Sequence, residues 1–402
     1  MNDDNVFESK NKTITRKTII KKITFTLIIF AVFLLGRRIP LYGVNYNQLS
    51  TIEMGVKPTL LALGMTPWMT TMIIWKVFSL GKNPDDIISS DASQYFRQNM
   101  LMLFLSIIQA IGTLTQLGTT KYVGHETMFF FEINVMFLIV GAFFSEWLSN
   151  LIARYGLGGN SLLIVITILG NYVQEINLDI HMVYNHSKPM LVLFLIILMI
   201  MFSIITLVYF AEYKIYFIQI LASKELKKYS YIPLKIIPAL GMPFMYSISL
   251  LTFLQYALFF GGRYNHNLKI LNVAEKTNIN TTQGLMILLV IIFIISIAFS
   301  FFNIDVVQTT DKMKKSGDFI ENVIPGNNTQ KYLSKRILIL GFIGALFNVL
   351  ITVIPFMISQ YFPITNINIF GIVGGTYLIL LTVLIQSYEQ VLTIRNKYKY
   401  ND

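Results

Sequence analysis

The sequence predicts an all-α polytopic membrane protein, ten transmembrane helices set in two inverted five-helix halves, and three observations carry that reading. First, ten apolar runs fill most of the 402 residues, near 20–36, 65–80, 99–117, 133–152, 157–174, 190–211, 236–260, 284–302, 337–358 and 370–388. A helix rises about 1.5 Å per residue, so roughly 20 apolar residues cover a ~30 Å hydrocarbon core. Second, basic residues sort by side. With the amino terminus inside, the inner segments hold 24 of the 32 Lys and Arg and the outer loops hold eight, and a frame shifted by one span would mix the two sets. Third, the chain is 54% hydrophobic and 13% charged, with a mean hydropathy of +0.60. A water-soluble domain of this length cannot hide so much apolar surface. The +11 charge therefore reads as membrane topology and inner docking surface, and gives no reason to expect nucleic acid.

Taken in order, residues 1–19 form a basic inner terminus. The first run follows the cluster Lys10 to Lys22 without a small-residue cleavage pattern, so it reads as a retained signal anchor. Spans 1–5 make the first half, 20–174. Its second and fifth runs, 65–80 and 157–174, are short. The outer segment 37–64 carries Leu49, Ile52, Met54, Val56, Leu60 and Leu61, too apolar for a loop in water, so it is expected to fold back into the protein near 45–57. It leads into Thr66-Pro67-Trp68, where Pro67 suits the first turn of a helix. An external connection, 175–189, joins the halves. Spans 6–10 occupy 190–388, and a short inner tail, 389–402, closes the chain. The five-and-five division fits an inverted repeat with the functional path between the halves. Two inner loops stand out for length and charge: 212–235 with Lys214, Lys224, Lys227, Lys228 and Lys235, and 303–336 with Lys312, Lys314, Lys315, Lys331, Lys335 and Arg336. They serve as topology anchors or, being far longer than a tether requires, as a dock for a partner.

The spans hold little that does covalent chemistry. No phosphate-cradling Gly-Lys-Ser/Thr loop occurs, so no cofactor or nucleotide is expected. The chain has no cysteine, and His125, His181, His186 and His266 all fall in outer loops without metal spacing, so no metal site is expected and the protein is read as no enzyme. Glu146 lies one helical turn from Asn150 and near Arg154; it serves as a structural partner or, alone at its depth, as a poor proton relay. More telling are modest polar residues on particular spans: Thr66, Thr70 and Thr71 on the second, Gln109, Thr113 and Thr115 on the third, Ser247, Ser249, Thr252 and Gln255 on the seventh. Such residues either pack helices or line a seam where helices part at little cost.

Several stretches resemble the SecY family, the channel subunits of protein-export translocases. Ala62-Leu63-Gly64-Met65-Thr66-Pro67-Trp68 is similar to the Ala-Leu-Gly-Ile-Met-Pro-Tyr that opens the second SecY span. Ile39-Pro40-Leu41-Tyr42-Gly43, Arg154-Tyr155-Gly156-Leu157-Gly158 and Ile232-Pro233-Leu234-Lys235 with Ile237-Pro238-Ala239 follow in the right order. So do Lys314-Lys315-Ser316-Gly317, Ile324-Pro325-Gly326, Thr329-Gln330-Lys331-Tyr332-Leu333 and, at the tenth span, Phe370-Gly371 with Gly374-Gly375-Thr376. Ile324 stands where the family usually carries Arg, and Gly159-Asn160 where it carries asparagine-glycine. These departures, and a shortened re-entrant loop, are most like the accessory SecY of Gram-positive bacteria.

The resemblance implies a plasma-membrane channel with both termini cytoplasmic, passing unfolded secretory proteins, in the accessory branch large serine-rich glycoprotein adhesins. It implies a pore ring of Met69, Ile73, Ser161, Val165, Leu240 and Ile379 or Leu380, in which Ser161 breaks the aliphatic rule, so that the register slips to Leu162 or the ring is looser there. It places a plug at Leu49, Ile52 and Met54, and a lateral gate where Thr70, Thr71 and Gln109 face Ser247 and Thr252. A SecA-type motor ATPase would dock on Lys224, Lys227, Lys228, Lys312, Lys314, Lys315, Lys331 and Arg336. SecE- or SecG-like small subunits or accessory Sec proteins, signal-sequence-bearing preproteins and membrane lipid complete the implied partners. A housekeeping SecY, and outside the family a secondary transporter or polysaccharide flippase, are the competing readings; the last two require ionisable or sugar-binding groups at midplane.

Overall fold

The computed structural model describes residues 3–42, 59–79, 91–117, 127–167, 188–219, 230–238, 241–264, 268–278, 281–303, 306–359 and 367–397. Its elements are α1 (Asp3–Gly36), α2 (Thr66–Ser79), α3 (Asp91–Leu117), α4 (Thr127–Tyr155), α5 (Lys188–Phe210), β1 (Glu212–Tyr216), β2 (Tyr231–Lys235), α6 (Met242–Tyr264), α7 (Leu268–Lys276), α8 (Thr282–Asn303), α9 (Val306–Ser316), α10 (Asn327–Ser359) and α11 (Ile367–Lys397). Residues 161–167 are also helical. Helix thus occurs within each of the ten apolar runs, and seven helices among the described residues are long and apolar enough to cross a membrane. At 14 residues, α2 spans only ~21 Å. The chain before it supplies further structure, with Leu60 N donating to Ile39 O at 2.9 Å and Pro40 bridged to Thr59.

Helices outrun the apolar runs that announce them. α3 starts at Asp91 and α10 at Asn327, about two and three turns ahead of the runs at 99 and 337, because the backbone ladder continues through polar residues once a helix exists. What stops such an extension is local. Before α10 the Pro325-Gly326 turn, with Gly326 at φ +100°, cannot be helical, and Thr329 Oγ1 bonds Ile324 O at 3.2 Å to fasten the first turn.

Two compact units emerge from the packing, residues 1–175 with 249–278 and 380–402, and residues 176–248 with 279–379. Their bounds differ from the five-and-five division, because α6 and α11 each contribute to both. In the first unit α1 packs on α4, and α2, α3 and α4 pack on one another. Lipid offers no hydrophobic drive between helices, so close backbone approach must supply the cohesion. Gly112 of α3 provides it, since a Cβ there would lie 2.5 Å from Tyr256 Cβ and 2.6 Å from Tyr256 O on α6. At Gly141 of α4 a Cβ would overlap the Leu60 carbonyl.

In the second unit α8 and α10 make the main pair, and buried Asn348 Nδ2 donates to Ser296 Oγ at 3.0 Å between them. Tyr377 of α11 stacks on Phe202 of α5, centroids 4.0 Å apart, with its hydroxyl 2.9 Å from Thr206 Oγ1. Pro355 lies inside α10 and has no N–H for the carbonyl of Ile351, one turn earlier. Gly374 of α11 sits against that carbonyl, where a Cβ would come within 2.9 Å of Ile351 O. The two basic loops of the sequence do not hang free in their described parts. β1 and β2 pair antiparallel, Glu212 with Lys235 through Tyr216 with Tyr231, and Ile218 bridges to Phe319. Ile215 and Leu234 of this ribbon join Val306 and Met313 of α9, Ile320, and Leu333, Ile337 and Leu340 of α10 in one buried cluster.

Neighbouring Gly375 faces the ring of buried Phe244, which a Cβ would overlap. Gly375→Ala is therefore expected to destabilise the second unit by about 1–3 kcal/mol, the usual cost of overpacking. Thermal unfolding in detergent measures it, and an unchanged midpoint would show that Phe244 is free to move.

Candidate functional site

The sequence-predicted seam is best defined in the first unit, where α2, α3 and the later turns of α6 meet. Pro67 starts α2 and frees the carbonyls of its first turn for side chains. Thr71 Oγ1 donates to Pro67 O at 2.7 Å, and Thr70 Oγ1 to Pro67 O at 2.9 Å. On α3, Thr113 Oγ1 donates to Gln109 O at 2.7 Å. On α6, Ser247 Oγ donates to Pro243 O at 2.6 Å. Each of these hydroxyls is satisfied within its own helix, a back-bond that needs no neighbour. Thr252, half-buried, stands nearly one turn beyond Ser249.

Other bonds run between the helices. Gln109 Nε2 reaches Thr70 Oγ1 at 3.3 Å, Ser249 Oγ of α6 donates to Thr66 O at 2.9 Å, and the Thr113 and Tyr256 side chains bond between α3 and α6. Gln109 Oε1 and Gln255 Nε2 are buried with no hydrogen-bond partner among the described residues. Polar groups left unsatisfied in the packed state weaken that state, because parting the helices would let them find partners. Beside the seam runs an aliphatic face, with Met69 and Ile73 one turn apart on α2 and both buried. The start of α2 meets the fifth apolar run at Gly64, φ +49°, where a Cβ would lie 2.9 Å from Thr167.

Among the other predicted positions, Val165 is buried in helix 161–167, Ile379 is buried in the second unit, and Leu380 is half-buried in the first. Ser161 has a partner the sequence did not indicate: its hydroxyl donates to Gln386 Oε1 of α11 at 2.8 Å. Leu240 of the ring, Leu49, Ile52 and Met54 of the plug, and Lys224, Lys227 and Lys228 of the dock lie outside the described residues. The chain leading to the plug region is held at Tyr42, whose N–H and carbonyl both bond the buried Asn134 side chain of α4, at 3.1 and 2.8 Å. Glu146 accepts from Asn150 Nδ2 at 3.3 Å and from Tyr95 OH at 3.4 Å, the arrangement of a pinned structural acid.

For the dock, Lys312, Lys314 and Lys315 project from α9 and Lys331 from α10, all exposed. Arg336 is instead half-buried, its guanidinium over the rings of Tyr332, at 5.2 Å, and Tyr213, at 5.8 Å. It ties the ribbon to α10, and the tyrosines that hold it were missed because a lone Tyr in a polar loop carries no periodic signal. Lys235 is likewise stacked over Tyr209 at 4.3 Å. Among the described residues no three His, Cys, Asp or Glu side chains gather as a metal site would require.

Apolar helices with an aliphatic face beside a hydroxyl-lined seam define a polytopic membrane protein. Comparison with known proteins agrees on the fold. A solved structure described as that of a protein conducting channel superposes with a TM-score of 0.67 at 14% identity, covering 94% of this chain and 93% of the other. A SecY structure, described in terms of a plug domain that stabilises its closed state, gives 0.69 at 15% identity with the same coverage. The SecY family model matches residues 59–388. The accessory Sec system protein translocase subunit SecY2 of Streptococcus agalactiae serotype Ia is 30% identical over 358 residues, 86% of each chain. The chain belongs to the SecY family.

If the seam is only lightly bonded, Gln109→Leu, which removes an amide with an unpartnered oxygen, is expected to leave stability unchanged or raise it by ~1 kcal/mol. Ser249→Ala should lower it by about 1 kcal/mol, having lost the better interhelical bond. Calorimetry of both variants reads the difference, and a Gln109→Leu loss above ~2 kcal/mol would mean the seam is tightly held.

Proposed function

We propose that this chain is the channel-forming subunit of a protein-export translocase, crossing the plasma membrane ten times with both termini in the cytoplasm. The observation that carries the reading is the combination of SecY membership with an aliphatic face at Met69 and Ile73 and a lightly bonded seam beside it. An unfolded polypeptide must cross extended and without ion leakage. A narrow apolar neck meets both needs, because it dewets when empty and its flexible side chains yield to any sequence. Met69, Ile73, Val165, Leu240 and Ile379 or Leu380 are the proposed neck. Ser161, being spent on Gln386, contributes an adjacent polar collar rather than an aliphatic seal.

The gate follows from the seam. An apolar signal sequence that inserts between α2–α3 and α6 replaces the Ser249–Thr66 and Thr113–Tyr256 hydrogen bonds and packs its own apolar face, so its binding biases the channel towards the open state. Leu49, Ile52 and Met54 serve as the plug. Energy comes from outside the chain, through a SecA-type ATPase seated on the platform that β1, β2, α9 and the start of α10 build around one buried cluster. Exposed Lys312, Lys314, Lys315 and Lys331, with Lys224, Lys227 and Lys228, face this motor, while Arg336 stiffens the platform. SecE- or SecG-like small subunits or accessory Sec proteins complete the complex.

Resemblance to the streptococcal SecY2 proteins favours the accessory branch, and with it serine-rich glycoprotein adhesins as cargo; a housekeeping SecY is the alternative within the family. A secondary transporter or flippase is disfavoured, since the buried groups at the seam are amides and hydroxyls.

The absence of cysteine makes site-directed crosslinking direct. Single cysteines replacing Ile73 or Leu240 are expected to crosslink to a stalled export substrate, whereas one replacing lipid-facing Leu27 should not. Equal yields at all three positions, or none at Ile73 and Leu240 while a small solute is taken up, would refute the channel.

A further inference from the structure

A cavity of about 460 Å³ in the first unit plays no part in the proposed transport path. It lies where the first turns of the α1 span, the turn after α4 and the last turns of α11 come together, and Lys22, Leu157, Gln386, Glu389, Gln390 and Ile394 contribute to its wall. That volume falls within the range of small-ligand sites.

The chemistry of the wall follows from how the neighbouring turn is built. Residues 156–161 need Gly158 and Gly159 at positive φ, +89° and +62°, and their exposed N–H groups are met by side chains from α1 and α11. Thr26 Oγ1 accepts from Leu157 N at 3.0 Å, Gln390 Oε1 accepts from Gly158 N at 3.0 Å, and Gln386 Oε1 accepts from Ser161 Oγ at 2.8 Å. Both glutamine oxygens are thereby committed to the turn, which leaves both amide nitrogens as donors. Lys22 adds an ammonium. The wall is therefore rich in donors, with one cation and one carboxylate, a composition suited to a phosphate that carries hydroxyls.

Its surroundings are those of the bilayer interface. Lys22 stands between Ile20 and Ile23 on α1, both exposed, at the depth where a lysine keeps its charge among headgroups while its stem lies on apolar surface. Tyr155, 59% exposed at the end of α4 and next to cavity-lining Gly156, packs edge-on against Phe25 with centroids 5.9 Å apart. An exposed tyrosine on an aromatic partner is typical of the interfacial belt, and the pair offers a path for an acyl chain leaving the cavity.

We propose that this cavity binds the phosphate headgroup of an anionic phospholipid, with Lys22 and the amide nitrogens of Gln386 and Gln390 as donors and Glu389 accepting from headgroup hydroxyls. Such a lipid would brace the junction of the first, fifth and tenth apolar runs. The inference needs only that the protein sits in a membrane, so it stands or falls apart from the channel reading.

Native mass spectrometry of the purified full chain, titrated with phosphatidylglycerol, tests it. Phosphatidylglycerol should be retained and phosphatidylcholine should not, and Lys22→Gln should weaken retention about fivefold, the weight of one lysine at an anionic headgroup. Lys269→Gln, a lysine on α7 away from the cavity, should leave it unchanged. Glu389→Gln keeps an oxygen that accepts from the headgroup hydroxyls while removing a charge like the phosphate's, so it should tighten retention several-fold, a readout that survives if the lysine variant fails to fold. Equal retention of both lipids, or indifference to Lys22→Gln or Glu389→Gln, overturns the proposal. Millimolar inorganic phosphate that displaces the lipid and stabilises the protein as well by itself would identify a free anion as the ligand and overturn the lipid assignment.

Discussion

Everything in this fold answers to one constraint: a backbone or side-chain polar group placed in lipid has no water to bond and must be satisfied by the protein. Hydroxyls of Thr70, Thr71, Thr113 and Ser247 return to carbonyls of their own helices. Where regular structure breaks, side chains from distant elements fill in. Thr26, Gln386 and Gln390 serve the 156–161 turn, and Asn134 acts as a strand partner for Tyr42. At Pro355 the loss of a backbone donor coincides with Gly374, which lets α11 come up against the freed carbonyl.

The same constraint bears on the proposed gate, which must be both sealed and separable. Groups satisfied within their own helix add nothing to the cohesion between helices. Cohesion then rests on close packing, as at Gly112 against Tyr256, and on cross-helix bonds such as Ser249–Thr66 and Thr113–Tyr256. Two buried amides, Gln109 and Gln255, each retain an atom without a partner among the described residues, a small penalty on the packed arrangement. The proposed gate rests on this: an apolar segment offers packing in exchange for such a seam. The loop platform is built on the opposite principle, with a dedicated apolar cluster and cations laid over tyrosines, the stiffness that the proposed docking of a motor requires.

Much of this was legible in the sequence. Apolar runs are long, and the transfer energy of ~20 residues overwhelms local detail, so helix appears within all ten. Thr70, Thr71 and Gln109 were recognisable because polar residues inside apolar runs are rare and cluster on particular spans. The β1–β2 ribbon was not foreseen, although Ile215 and Leu234 point inward. Five residues with one buried position give too short an alternation to register against charge. Arg336 was read by charge alone as a docking residue, when its stacking on Tyr213 and Tyr332 depends on chain segments over a hundred residues apart. Ser161 was an anomaly in an aliphatic pattern, and its reason, Gln386, lies 225 residues away.

Passage of a polypeptide remains the property from which the neck, gate and platform all take their meaning. Proteoliposomes containing the full chain, its SecA-type motor and a signal-bearing preprotein, probed by added protease, measure it directly. Accumulation of protected preprotein that requires ATP and is lost when the signal sequence is removed is the expected result. Preprotein that stays fully digestible under the same conditions, with motor and channel both folded, would contradict it.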